Sequence, residues 1–154
     1  MTNADDLVKV LGDAGLTLAT AESLTGGQLA AVLTGVPGSS KVYGGGVVSY
    51  ATSVKIDVLG VPEELVAEHG VVSAECAAAM AESVRELLGS DVGLSTTGVA
   101  GPERQEGKPV GTVFIGVASE AGTKVVPLSL SGDRSSIQRQ VVDAAISATT
   151  DHVG

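Results

Sequence analysis

Few side chains in this sequence can do chemistry at neutral pH. Of the two histidines, His69 follows Glu68 at the end of a helical stretch, where capping is its natural role. His152 stands two residues from the C-terminus, where fraying is expected. A Ser-His-Asp triad is therefore unpromising. A single cysteine, Cys76, excludes an intramolecular disulfide and any cysteine-rich zinc site, and it fits a reducing compartment. No HExxH, CxxC or closely spaced acidic motif occurs, so neither a metal nor another cofactor is expected. No lysine follows the glycine spacing of a P-loop. An acyl-transfer reaction here would have to take its base from a lysine, a tyrosine or a carboxylate. A lysine stripped of water loses part of its basicity and can accept a serine's proton. Among Lys9, Lys41, Lys55, Lys108 and Lys124, Lys55 stands out because it follows a strand candidate and lies close to Tyr50. A solvated place on a helix from Thr52 to Leu59 is the commoner fate of a lysine. Spacing leaves both readings open.

The elements that must position these groups can be read from periodicity and punctuation. A first helix runs from Asp5 to Ala14, with Gly15 as its stop, and Thr17–Thr20 is a short strand. That strand runs into Glu22-Ser23-Leu24-Thr25-Gly26-Gly27, after which Gln28–Leu33 is helical. Strand, glycine turn and helix is an arrangement that points helix N-terminal N–H groups at a ligand. Gly46–Tyr50 is a second strand, small and β-branched enough to be central. Thr52 or Ser53 can cap the next short helix, stopped by Gly60, and Pro62 opens another. Ser73 caps the strongest helix, Ala74–Leu88. Asp91–Thr97 is a third strand, followed by a loop from Gly98 to Pro109. Gly111–Ser119 and Lys124–Ser131 flank a glycine turn as an antiparallel hairpin. A last helix runs from Ser135 to about Val153. Strands alternating with helices, plus one hairpin, predict a three-layer α/β/α sandwich with a mixed sheet in a single domain, 1–154.

Composition narrows the function classes. The 154 residues are 44% hydrophobic, and mean hydropathy is +0.33, which excludes a disordered chain. Nine Lys and Arg face eighteen Asp and Glu for a net charge of −9, and only Tyr43, Tyr50 and Phe114 are aromatic. Nucleic-acid binding by basic patches or stacking platforms is therefore not expected. Neither a targeting segment nor a membrane span is evident, so a soluble cytoplasmic protein is the expectation. Glycine, at 21 residues, is about twice its usual share of ~7% and is clustered, as close backbone approach to a ligand would require.

Ala21-Glu22-Ser23-Leu24-Thr25-Gly26-Gly27 resembles the AES-x-TGG motif of the CinA C-terminal domain family. Further matches follow in order: Gly35–Ser40, Gly45–Tyr50 with Lys55, Leu59–Val61, His69–Ser73, Thr97–Pro102, Lys108–Val113 and Gly132–Arg134. The resemblance runs from about Leu7 onward. It implies the stand-alone form of the family, which hydrolyses the carboxamide of nicotinamide mononucleotide to nicotinate mononucleotide and ammonia without a metal. It also implies a small-molecule nucleotide substrate, no nucleic acid or membrane partner, and a homodimer or higher homo-oligomer. Small apolar faces at Ala77-Ala78-Ala79 and Ala144-Ala145 are where helices could pair.

The matching positions carry roles residue by residue. Ser23 and Ser40 are the candidate nucleophilic hydroxyls, Lys55 the general base, and Tyr50 its hydrogen-bonding partner or proton relay. Which serine attacks is open, and so is attack by water. Thr97 and Gly98, at a strand end, suit oxyanion or ribose contacts. Thr25, Gly26 and Gly27 offer main-chain donors to the phosphate. Arg134 suits phosphate or carboxamide, unless it merely starts its helix beside Asp133. Ser39 reads as a turn residue, and Glu22 either orients Lys55 or accepts backbone hydrogens. Three departures from the family stand out: Thr52 in place of Asn, Leu24 in place of Cys, and Glu103-Arg104-Gln105-Glu106-Gly107 in a loop that is usually glycine-rich. They keep a second reading open, a catalytically silent nucleotide-sensing or partner-binding module.

Overall fold

Two strands are buried along nearly their whole length, and that burial dictates the layers. β1 (Leu18–Glu22) and β3 (Val92–Gly98) carry small, aliphatic and hydroxyl residues with almost no contact with water. Strands covered on both faces need helices on both sides. The computed structural model describes residues 3–154. In it α1 (Ala4–Ala14), α2 (Gln28–Thr34) and α6 (Arg134–Val153) cover one face, and α5 (Ala74–Leu88), with α4 (Glu63–His69) packed on it, covers the other. The sheet order is β2-β1-β3-β4-β5, with β2 (Tyr43–Val48), β4 (Thr112–Ser119) and β5 (Gly122–Ser129). β1 pairs in parallel with β2 and β3, while β4 and β5 join as antiparallel strands. This is the expected three-layer sandwich. Leu7, Leu11, Leu29, Ile137 and Val141 fill one core, and Cys76, Met80 and Val84 fill the other.

Local punctuation works as its chemistry suggests. Asn3 caps α1, accepting from the Asp6 N–H at 3.0 Å, and Gly15 closes it in the left-handed region. Ser73 caps α5 by accepting from the Cys76 N–H at 3.1 Å. Asp133 caps α6, accepting from the Ser136 N–H at 2.8 Å. The hairpin turns on Glu120-Ala121, with Ser119 opposite Gly122.

Three expectations need correction. The second strand is not central. It spans Tyr43–Val48 at the sheet edge, and its side chains alternate between half-buried and exposed. Glycines at 44–46 leave little side chain to bury, and a Cβ at Gly46 would stand 2.3 Å from Thr20 Oγ1. The C-terminus is tied down, because His152 Nε2 lies 2.8 Å from Ser119 Oγ. The small faces proposed for helix pairing are partly consumed by the fold itself, since Ala77 and Ala145 are fully buried in it.

α5 seats on the sheet through absent side chains. A Cβ on Gly93 of β3 would stand 2.0 Å from the Ala81 carbonyl, and one on Gly116 of β4 would stand 2.4 Å from the Ala77 carbonyl. Ser95, opposite Gly116, donates its hydroxyl to that same Ala77 carbonyl at 2.6 Å. Gly93→Ala or Gly116→Ala must push the helix outward. Each is expected to lower unfolding free energy in urea by about 1–3 kcal/mol, the usual cost of overpacking. A change within ~0.5 kcal/mol, the range of ordinary surface substitutions, would show that the helix is not held this closely.

Candidate active site

Ser23 is the first residue beyond β1, at the carboxyl ends of the parallel strands, where open α/β sheets place ligands. Its N–H donates to the Thr96 carbonyl at 3.0 Å, which carries the chain out of β1 beside β3. Lys55 arrives from the other side. The short α3 (Thr52–Val54) continues into a π-helical turn, Lys55–Leu59, closed by left-handed Gly60. A π-turn breaks the helical register and is frequently found where a side chain is aimed at a site. Ala51, rather than Thr52 or Ser53, is the N-cap, without a side-chain bond.

The Lys55 side chain is 1% exposed. Its Nζ lies 2.7 Å from the Ser49 carbonyl, 3.1 Å from the Tyr50 carbonyl and 2.8 Å from Ser23 Oγ. No described carboxylate forms an ion pair with it. Burial accordingly pushes its pKa below the usual 10.5. A neutral amine has two N–H donors and one lone pair. In that neutral form the two carbonyls would take the donors, leaving the lone pair for the Ser23 hydroxyl proton. Nearby, burial raises the Cys76 thiol to about 11, so the sulfur brings no negative charge to the lysine at neutral pH.

Of the other expected residues, Tyr50 meets Lys55 through its carbonyl rather than its phenol. The phenol is 62% exposed and accepts from Arg134 Nη2 at 3.1 Å. Arg134 Nη1 donates to the Gly101 carbonyl. Thr97 and Gly98 do line the cleft, although the Thr97 hydroxyl already donates to the Val71 carbonyl at 2.7 Å. Ser40 is exposed on the turn Ser39–Lys41 that precedes β2. Because β2 runs parallel to β1, that turn sits at the amino ends of the strands, about 15 Å from Ser23 at 3.3 Å per residue. Ser39 is the turn residue expected. Among the described residues only Ser23 brings a hydroxyl to the amine.

The glycine turn is not a phosphate seat. Glu22 turns away from Lys55 and accepts from the Leu29 and Ala30 N–H groups at 2.9 and 3.0 Å, placing a carboxylate where the anion was expected. Thr25 is fully buried, 2.9 Å from the Thr96 hydroxyl, and Gly26 and Gly27 lie outside the cleft. A short helix capped by its own glutamate has no donors to spare.

Several contributors escape sequence reasoning. The Leu24 amide, next to Ser23, has no acceptor among the described residues. Glu106 accepts from the Val71 and Val72 N–H groups at 2.9 Å each, and Lys108 Nζ donates to the Val72 carbonyl. These bonds fix the Gly98–Pro109 loop as one wall of a cleft of about 480 Å³. One signal was available: Gly70, at φ +77°, where a Cβ would stand 2.5 Å from the Glu106 carboxylate. Arg104, on this loop, also faces the cleft.

The depressed lysine has a stability signature. A lysine with a lowered folded-state pKa binds fewer protons folded than unfolded at any pH between that value and 10.5. As pH falls through this window the native protein loses up to about 1.4 kcal/mol per unit relative to a variant without the amine. Urea unfolding of wild type and Lys55→Met from pH 7 up to 10.5 is expected to show the two stabilities diverging in the variant's favour as pH falls from 10.5. Parallel curves would mean that the amine titrates as if free.

The family model for the CinA C-terminal domain matches residues 1–153. A CinA-like protein of Frankia casuarinae is 55% identical over 130 residues, covering 84% of this chain and 30% of that protein. The chain spans about a third of the length of the curated relatives it matches. Among solved structures, a competence-damaged protein (CinA) superfamily member from Klebsiella pneumoniae superposes with a TM-score of 0.95 at 32% identity, covering 97% of this chain and 94% of that one. Another from Enterobacter cloacae gives 0.94 at 31% identity, covering 100% and 94%.

Proposed function

The chain belongs to the CinA C-terminal domain family, and from that premise we propose that its cleft hydrolyses the carboxamide of nicotinamide mononucleotide, giving nicotinate mononucleotide and ammonia. The observation that carries the reading is the dry amine of Lys55 at 2.8 Å from Ser23 Oγ. The substrate's identity comes from the motif resemblance, and the curated relatives' names describe competence-damage proteins without stating an activity.

Ser23 Oγ attacks the carboxamide carbon while Lys55 Nζ takes the hydroxyl proton. Charge develops on the former carbonyl oxygen, within range of the unpaired Leu24 amide, the main-chain donor that follows the nucleophile. Lys55 returns its proton to the departing nitrogen, ammonia leaves, and an ester on Ser23 remains. Water then attacks the ester, giving its proton to Lys55, which passes it to the departing Ser23 oxygen, and nicotinate mononucleotide is released as the Ser23 hydroxyl is restored. The Ser49 and Tyr50 carbonyls hold Nζ in place throughout and stabilise its protonated form. Arg134 contributes positive charge at the mouth for the phosphate.

Purified protein is expected to release ammonia from nicotinamide mononucleotide. Ser23→Ala and Lys55→Ala should each lower kcat by about 10³-fold or more with the circular dichroism spectrum retained. The wild-type kcat/KM should rise with pH and level off below 10.5, because the base must be unprotonated. A Ser23→Ala protein with full activity would overturn the nucleophile. Tight nucleotide binding with no ammonia would favour a silent sensing module instead.

A further inference from the structure

The chain carries net charge −9, yet three of its nine Lys and Arg side chains line this one cleft: Lys55, Arg104 and Arg134. Glu103 is the only carboxylate among the lining residues. With the Lys55 amine committed to Ser23 and two main-chain carbonyls, the cations left for a ligand are the two guanidinium groups. They are unequally committed. Arg134 already donates to the Gly101 carbonyl and the Tyr50 phenol. Arg104 makes no hydrogen bond and no ion pair to any described residue, which leaves all five of its donors free.

The backbone carrying Arg104 is anchored on both sides. On one side Arg134 holds the Gly101 carbonyl. On the other, Gln105 and Lys108 pair across a tight turn, and Glu106 is fixed by the Val71 and Val72 amides. An exposed guanidinium with no acid partner, on a fixed loop facing a cleft, is suited to forked recognition of a phosphate monoester. An anionic substrate is repelled at long range by a chain of this charge, so a local cationic seat matters more here than on a neutral protein.

We propose that Arg104, which lines the cleft together with Arg134, is the principal phosphate-binding residue of this cleft and sets its preference for phosphorylated substrates. The proposal rests on the reading of the cleft as a nucleotide amidase, and its test separates the two.

Ammonia release would be measured for wild type, Arg104→Ala and Arg104→Lys with nicotinamide mononucleotide and with nicotinamide riboside, which has the same carboxamide and no phosphate. Binding of inorganic phosphate would be measured by calorimetry on the same three proteins. Arg104→Ala is expected to raise KM for the mononucleotide about 10-fold or more with kcat within about 2-fold, as lost uniform binding requires. The riboside rates should not change, and phosphate affinity should fall in parallel. Arg104→Lys should recover only part of each effect, because an ammonium cannot fork. A mononucleotide-to-riboside ratio and phosphate affinity equal to wild type in Arg104→Ala would overturn the proposal. If no substrate yields ammonia but phosphate affinity still drops in Arg104→Ala, the anion seat stands and the amidase reading fails.

Discussion

An amine kept out of water is the constraint around which this structure is arranged. Lys55 is fully buried with no carboxylate partner, which is costly unless every donor is satisfied. The chain satisfies it with two successive main-chain carbonyls, those of Ser49 and Tyr50. Those carbonyls lie just past the end of β2 at Val48: the Ser49 N–H makes the last rung of the ladder, to the Glu22 carbonyl, and the Ser49 and Tyr50 carbonyls fall beyond it. Had the strand run on to Tyr50, as its β-branched residues suggest, the acceptors would have been turned elsewhere. The π-turn that begins at Lys55 is the complementary adjustment, breaking helical register where the side chain must reach inward.

The fold supports this arrangement by bringing two strand ends together with little intervening side chain. Gly93 and Gly116 let α5 lie against sheet backbone, and α5 in turn supplies Cys76 to the wall by Lys55. The thiol's raised pKa and the lysine's lowered pKa have the same origin, exclusion of water, and each favours the uncharged form. A carboxylate in place of that sulfur would pair with the lysine and raise its basicity, which opposes its use as a base.

Much of this was legible in the sequence because it rests on local rules. The cap at Ser73, the stop at Gly15, the hairpin and the layer order all follow from residue type and spacing. Lys55 was singled out from its place after a strand. Strand direction in space was not legible. Ser23 and Ser40 sit in similar-looking glycine turns, but one follows its strand and the other precedes its strand. In a parallel pair that difference puts them at opposite ends of the sheet. Glu22 shows a second blind spot. Spacing leaves open whether Glu22 orients the lysine or accepts backbone hydrogens, and the amides of a seven-residue helix without a side-chain N-cap claim its carboxylate. Competition among nearby partners is decided by geometry that spacing does not carry.

The cleft divides its labour between two kinds of structure. Ser23 and Lys55 stand on a strand end and a helical turn locked by main-chain hydrogen bonds, so their separation is set by the sheet and cannot drift with substrate. The opposite wall, Gly98–Pro109, is a loop fixed at a few points by Glu106 and Lys108, with exposed residues between them. Substitution there changes what the cleft meets without moving the reacting groups. The charged run Glu103–Glu106, in place of a glycine-rich loop, therefore bears on recognition rather than on bond breaking. The same run also supplies, in Glu106, the carboxylate that holds the wall in place. A loop that trades glycine freedom for an internal anchor has exchanged mobility for position, and what it then positions best is the one side chain between its anchors with nothing of its own to bind.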